Sequence, residues 1–217
     1  MSNNKRPFPN KDIFEVIDTE EKAYWLGFLY ADGSVGSTEH KIELGLKIED
    51  IGHVQKFKDF VGLNNKISIR EKTKSCRFSF RSLDFKNHLI KQGCFPNKSL
   101  ILKFPTYEQV PKHLMKHFMR GYFDGDGWIC HTDKTECIGF IGTYDFVNGA
   151  MKEFNLKQNK IADVHHENGA KRYQLYQKDE LIKFLDLLYQ DATIYLDRKY
   201  EKYLSYKNRF AVLLRNQ

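Results

Sequence analysis

Apolar residues dominate two short stretches, YWLGFLYADG (24–33) and FMRGYFDGDG (118–127), and both end in Asp-Gly. Elsewhere the apolar positions keep a period. KIELGLKI (41–48) alternates, with Ile42, Leu44, Leu46 and Ile48 on one face and Lys41, Glu43 and Lys47 on the other, which predicts a half-buried strand. CRFSFR (76–81) does the same, with Cys76, Phe78 and Phe80 inward and Arg77, Ser79 and Arg81 outward. Between them Ile51, Val54, Phe57 and Phe60 or Val61 recur at helical spacing over about 50–61.

The two Asp-Gly stretches mark a duplication, the first thing to look for in a chain. Asp126 follows Asp32 by 94 residues, and the same offset sets Gly121 on Gly27, Gly127 on Gly33 and Gly139 on Gly45. It also sets MKEF (151–154) on FKDF (57–60) and NKI (159–161) on NKI (65–67). Further on it slips by about one, placing KDELIKF (178–184) under LDFKNHL (83–89). The chain divides into an arm over 1–19, a repeat over 20–95, a linker over 96–113, a second repeat over 114–190 and an extension over 191–217. Each repeat reads αββαββα. Helices are expected over 22–32, 50–61 and 83–92, then over 116–126, 145–154 and 179–189. The second copy's strands are expected near 128–131, 137–142, 160–165 and 171–176. The fold class is α+β: two four-stranded antiparallel sheets, each with helices on one face and the other face wet.

Composition changes the picture in one respect. The formal net charge is +7, with a sequence pI near 9.1, which favours a polyanionic partner, nucleic acid before an acidic membrane surface. The wet faces carry Lys41, Glu43, Lys47, Arg77, Ser79, Arg81, Arg172 and Gln174, with Arg70 and Lys72 nearby, and two such faces side by side make a groove for a duplex. Cys76, Cys94, Cys130 and Cys137 form no CxxC pair and read as reduced thiols. The start has no apolar leader core, and no run approaches the roughly 18 apolar residues of a bilayer span, so a cytoplasmic protein (or one of an organellar matrix or phage-infected cell) is expected, without membrane contact.

The Asp-Gly stretches hold the candidate chemistry. In helices over 22–32 and 116–126, Gly27 and Ala31 share a face, as do Gly121 and Gly125. Small residues at that spacing let two helix backbones approach closely. Packed on one another, the helices deliver Asp32 and Asp126 to one end, with Gly33 and Gly127 as expected left-handed caps. Two adjacent carboxylates repel unless a cation lies between them. Hard oxygen donors suit Mg²⁺ bridged to phosphate, the arrangement for metal-assisted phosphodiester hydrolysis.

WLGFLYADG (25–33) and MRGYFDGDG (119–127) resemble the motif of the LAGLIDADG homing endonucleases, and two copies in one chain resemble that family's monomeric, two-repeat members. The resemblance implies a monomer that cuts a long, non-palindromic double-stranded DNA site, leaves short 3′ overhangs and mobilises an intron or free-standing gene. It implies Mg²⁺, with Mn²⁺ as a substitute, held by Asp32 and Asp126 and by the carbonyls of Ala31 and Gly125. The motif's earlier acidic position is Tyr30 in the first copy and Asp124 in the second. A basic residue after each repeat is implied beside the metal, for which Lys98 and Lys199 are the matches, with Lys103, Arg198 and Lys202 as rivals. Asp50 and Thr143 stand where the water network would lie. Relatives that act as regulators or as maturases on intron RNA keep the fold and drop the cleavage; both acids are retained here. The chain lacks the terminal residues of an intein. The histidines are expected at the surface or facing DNA. Lys5, Arg6 and Lys11 are candidate phosphate contacts, and the tail YLDRKYEKYLSYKNRFAVLLRNQ is expected to cap the core with a basic exterior.

Overall fold

The computed structural model describes residues 10–131, 135–157, 161–164 and 169–215. Lys5, Arg6, His165 and His166 lie outside the described residues.

Helix α1 (Glu20–Ala31) begins where Thr19 accepts a hydrogen bond from the Lys22 amide at 3.2 Å, and Glu20 and Glu21 fall in its electropositive first turn. Every residue from Ala23 to Tyr30 is buried, which is why the helix shows no polar stripe. The chain continues through β1 (Gly33–Val35), β2 (Lys41–Lys47), α2 (Ile51–Val61), β3 (Ser68–Arg70), β4 (Ser75–Arg81) and α3 (Leu83–Lys91). The order recurs in α4 (Met115–Asp126), β5 (Gly127–His131), β6 (Glu136–Gly142), α5 (Tyr144–Glu153), β7 (Ala162–Asp163), β8 (Lys171–Leu175) and α6 (Lys178–Tyr189). Helix α7 (Asp197–Arg215) follows. The strands form two antiparallel sheets, ordered β1-β2-β4-β3 and β5-β6-β8-β7. The fold is α+β, with two αββαββα repeats.

The alternation in the strands is kept. Ile42, Leu44, Phe78 and Phe80 are buried with Phe57 and Phe85, while Lys41, Glu43, Arg77 and Ser79 face the other way. Strand β7 has only two residues, shorter than the expected 160–165. Helix α7 packs on α6 and β5, burying Tyr203 and Tyr206 and leaving Lys202 and Arg209 exposed, so the tail caps the core as expected.

Helices α1 and α4 pack face to face with almost no separation. A Cβ added to Gly27 would lie 1.9 Å from the Phe118 carbonyl oxygen, and one added to Gly121 would lie 1.9 Å from that of Tyr24. The two glycines are thus reciprocal contacts about a pseudo-twofold axis.

Two expectations need correction. Gly33 and Gly127 are not left-handed caps: the left-handed glycines among the described residues are Gly62, Gly93 and Gly169. The backbone passes straight from helix into strand, with Gly127 extended at φ −96°, ψ 170°. A Cβ at Gly33 would meet the Leu29 carbonyl oxygen at 2.6 Å, and one at Gly127 would meet the Phe123 ring at 2.4 Å. Space, not handedness, demands glycine there.

The fixed offset of 94 also fails beyond the first helices. Gly33 pairs with Leu44, which pairs in turn with Phe78, whereas Gly127 pairs with Phe140, which pairs in turn with Tyr173. Phe140 therefore takes the place of Leu44, and Gly139 that of Glu43, not of Gly45. The slip is two residues. An even slip keeps every side chain on its face, so the alternation survived while the residue correspondence did not. A 3₁₀ turn over Ile48–Asp50, which the second repeat lacks, then shifts the correspondence back by three, so that Asp50 and Thr143 both stand at helix starts.

Candidate active site

The C-terminal ends of α1 and α4 meet. Gly125 packs against Ala31, its added Cβ falling 2.3 Å from the Ala31 methyl and 3.2 Å from Asp32 Oδ2. Asp32 and Asp126 thus emerge side by side, and both carboxylates act on the buried Tyr122 hydroxyl, whose ionisation is opposed first by burial and then by Asp126.

Each acid opens into its own cleft. A cleft of about 500 Å³ holds Asp32 with Asp50, Arg198 and Gly125, beside Glu43, Lys47 and Arg77 of the first sheet. A second, of about 250 Å³, holds Asp126 with Thr143, Lys98 and Ala31. Four elements recur in both: an acid, a helix-start residue, a cation from the segment after a repeat, and a small residue from the opposite repeat. Asp32 is solvent-exposed by surface area although protein surrounds it on most sides. Burial is the largest cause of a raised pKa there, opposed by Lys199, Lys98 and Arg198 and assisted by Asp50. The open side of the cleft screens that rise.

The two matched lysines lie at equivalent places with different access. Lys98 Nζ donates to the Gly33 carbonyl and remains partly exposed in the Asp126 cleft. Lys199 is 2% exposed. Its Nζ donates to the carbonyls of Phe123, Asp124 (2.7 Å) and Gly127 (2.6 Å). Those carbonyls are the negative end of α4, a natural seat for an ammonium. Burial pushes its pKa down to about 8 against the pull of Asp124. Arg198, held by both Asp50 oxygens at 3.0 and 3.1 Å, lines the Asp32 cleft with Lys47, Lys74 and Arg77. Lys103 and Lys202 line neither of these two clefts.

Beneath the acids runs a buried polar chain. Asp124, fully buried, accepts from Tyr24 (2.7 Å), Tyr189 (2.6 Å) and the Leu196 amide (2.7 Å). Since Tyr24 donates its proton to Asp124, its oxygen accepts from His53 Nε2 at 3.0 Å. His53 is 2% exposed and packs on Trp25 and Phe28, contrary to the expectation of surface histidines. Its place four residues before Phe57 on an apolar helix face was the signal. The counterpart Tyr30 instead donates to the Gln92 carbonyl.

On the wet face of the first sheet, Glu43 bridges Lys41 (2.6 Å) and Arg77 (3.3 Å), while Arg81 pairs with Glu39 (2.7 Å). Ser79 pairs across with Glu43. Lys47, Arg70 and Lys72 are exposed. Arg172 and Gln174 stand on the second sheet opposite Ile141 and Gly139. Among the described residues no three His, Cys, Asp or Glu side chains cluster as metal ligands. What the helix ends offer is two carboxylates and main-chain carbonyls, of which neither lysine takes those of Ala31 or Gly125. That all-oxygen set fits a hard divalent cation that keeps much of its water.

No protein-family model matches the chain, and no curated protein matches it. Solved structures do. The meganuclease I-SmaMI, bound to uncleaveable DNA, superposes with a TM-score of 0.62 at 11% identity, over 89% of this chain and 91% of that one. I-SmaMI has also been solved on uncleaved DNA with calcium ions. The I-LtrWI LAGLIDADG homing endonuclease, bound to target DNA, gives 0.59 at 12% identity, over 90% and 91%. The LAGLIDADG meganuclease I-AabMI, on uncleaved DNA, gives 0.58 at 12% identity, over 89% and 91%. With its paired sheets and reciprocal glycine contact, the chain has the two-repeat LAGLIDADG homing endonuclease fold.

Proposed function

We propose that the chain is a monomeric, sequence-specific, divalent-metal-dependent endonuclease of double-stranded DNA. The observation that carries this reading is the delivery of Asp32 and Asp126 to one point, by two helices whose contact leaves no room for a side chain at Gly27 or Gly121. Nothing in packing alone calls for two carboxylates there.

Asp32 and Asp126, with the carbonyls of Ala31 and Gly125, are the groups that would hold Mg²⁺ or Mn²⁺. Such a cation supplies charge neutralisation at the phosphate and a lowered pKa for water. The residues around it do the rest. Arg198 and Lys98, one in each cleft, would each meet the charge that develops on one scissile phosphate. Asp50 fixes the Arg198 guanidinium in place. Lys41, Glu43, Lys47, Arg70, Lys72, Arg77, Ser79, Arg81, Arg172 and Gln174 would contact DNA, the cations setting affinity through phosphate and the rest reading base edges. Two clefts, one per strand, would leave staggered ends.

The test is cleavage of a randomised duplex library with Mg²⁺, beside a Ca²⁺ control and the Asp32→Asn/Asp126→Asn double variant. The reading expects recovered sites with short 3′ overhangs from the wild type, and specific binding without cutting from the variant. Equal behaviour of the two proteins would remove the acids from the function.

A further inference from the structure

The wet faces of the two sheets differ in kind. Aligned by strand register, Lys41, Glu43 and Arg81 of the first sheet correspond to Cys137, Gly139 and Tyr176 of the second. Ser34, paired with Glu43, corresponds to Trp128, paired with Gly139. The first set is an ion-pair lattice. The second is nearly uncharged.

Its geometry is specific. A Cβ on Gly139 would lie 2.3 Å from Trp128 Cζ2 and 2.7 Å from Cη2, so the indole lies across the sheet in the space a side chain would fill. Cys130 sits directly opposite Cys137 in the next row. Burial raises the Cys137 thiol, which stays protonated and behaves as a small apolar group. Ile141, part-exposed, continues the strip toward Asp126, and Tyr176, 54% exposed, extends it outward. Ile129, Ile138 and Phe140, the intervening residues, face the core. Cys137, 4% exposed, and Gly139, under the indole, are themselves buried, so the surface the strip offers is that of Trp128, Ile141 and Tyr176, flanked by Arg172 and Gln174.

We infer, on the reading of the chain as a DNA endonuclease, that the second sheet recognises its half-site through thymine methyl groups, while the first recognises its half-site through hydrogen bonds. In the major groove an apolar side chain has one base-specific partner, the thymine C5-methyl. A charged lattice of Arg and Lys suits guanine N7 and O6. Arg172 beside the strip and the net charge of the chain favour a polyanion over an apolar protein as its occupant. The recognised duplex is thus asymmetric in base type as well as in sequence: A·T-rich on one side and richer in G·C on the other.

The experiment starts from a site recovered from the randomised library, assigned to the two repeats with Arg81→Ala, which relaxes selection only in the half read by the first sheet. Deoxyuridine then replaces thymidine in one half at a time, which removes the methyl and keeps the pairing. Wild-type protein should bind about three- to fivefold more weakly for each contacted methyl lost in the second half, and unchanged for the first. Trp128→Ala should erase that difference, and the wild-type comparison stands if this variant fails to fold. Equal sensitivity of both halves, or none in either, overturns the inference and leaves the endonuclease reading intact. Recovery of no specific duplex overturns both.

Discussion

Lys98 and Lys199 close the same turn in the two repeats, one donating to the carbonyl of Gly33 and the other to that of Gly127. Gly33 follows Asp32, and Gly127 follows Asp126, so each lysine ties down the backbone that presents an acid. The symmetry ends there. Lys98 reaches solvent in a cleft, whereas Lys199 is enclosed and its neighbour Arg198 takes the cleft position.

That split gives the first prediction. Lys98→Met and Arg198→Ala should slow single-turnover cleavage by about 10²–10³-fold, the scale for losing one charge-stabilising group, with Arg198→Ala also costing stability because Asp50, 7% exposed, loses its cation. Lys199→Met should instead unfold more easily, by about 1–3 kcal/mol, since three buried carbonyls lose their donor. Urea midpoints and cleavage rates on the three variants separate the roles. A Lys199→Met protein with native stability and no cleavage would reverse them.

The helix contact gives the second. Gly27→Ala and Gly121→Ala each drive a methyl to within 1.9 Å of a backbone oxygen that cannot swing away. Each should cost about 3 kcal/mol or more, the upper end of overpacking. Gly52, in α2, has nothing within 4 Å of its added Cβ. Gly52→Ala should therefore stabilise by about 0.5–1 kcal/mol, the ordinary gain of alanine inside a helix. Thermal or urea unfolding of the three variants checks both signs.

These glycines also show what the sequence could and could not convey. The close approach of two helices is written locally, as small residues four apart, and the strands are written locally, as alternation. Both were legible. The slip of two in the second sheet was not, because alternation repeats every two residues and is blind to even shifts. Gly45 over Gly139 looked like a conserved register and was a coincidence. Arg198 was legible only as a rival of Lys199: α7 had to be placed before one could be set in the Asp32 cleft and the other against the end of α4. His53 was legible in its helical spacing, four residues before Phe57 on the buried face of α2, although a histidine ring is buried less often than the apolar residues around it.

His53 makes the third prediction, on pH. Burial lowers its pKa from the ordinary 6.5 to about 3, with Lys56, Arg198 and Lys199 adding to the fall. The folded state keeps the ring neutral while the unfolded chain protonates it near 6.5. Between about pH 6.5 and 3 the unfolded state therefore binds more protons, and stability falls on acidification, by about 1.4 kcal/mol per pH unit at most from this group. The raised pKa values of Asp124 and Asp32 act in the opposite sense. The difference between wild type and His53→Gln isolates the histidine: urea midpoints from pH 7 to 4.5 should fall more steeply for the wild type. Parallel curves would show that His53 is not neutral and buried.

The last prediction concerns Arg120, which stands on α4 one residue before Gly121 and is 1% exposed. Its guanidinium donates to Glu20 Oε1 (2.6 Å) and to the carbonyls of Leu188 (2.9 Å) and Ile194 (2.8 Å). One side chain thereby joins the start of α1 to the end of α6 and the segment before α7. Glu20 Oε1 also accepts from the Thr193 amide at 3.0 Å, so the carboxylate is bound from both sides. Arg120→Met leaves the Leu188 and Ile194 carbonyls without this donor and the part-buried Glu20 charge without its cation, and should cost about 3–5 kcal/mol. Arg120→Lys should recover less than half of that loss, because an ammonium cannot match a planar fork spread over three acceptors. Glu20→Gln removes the charge but keeps an acceptor for Thr193, and should cost about 1–2 kcal/mol. Unfolding free energies of the two single variants and the double close a thermodynamic cycle, in which the double should cost clearly less than the sum. Full additivity would mean that the pair makes no joint contribution across the repeats.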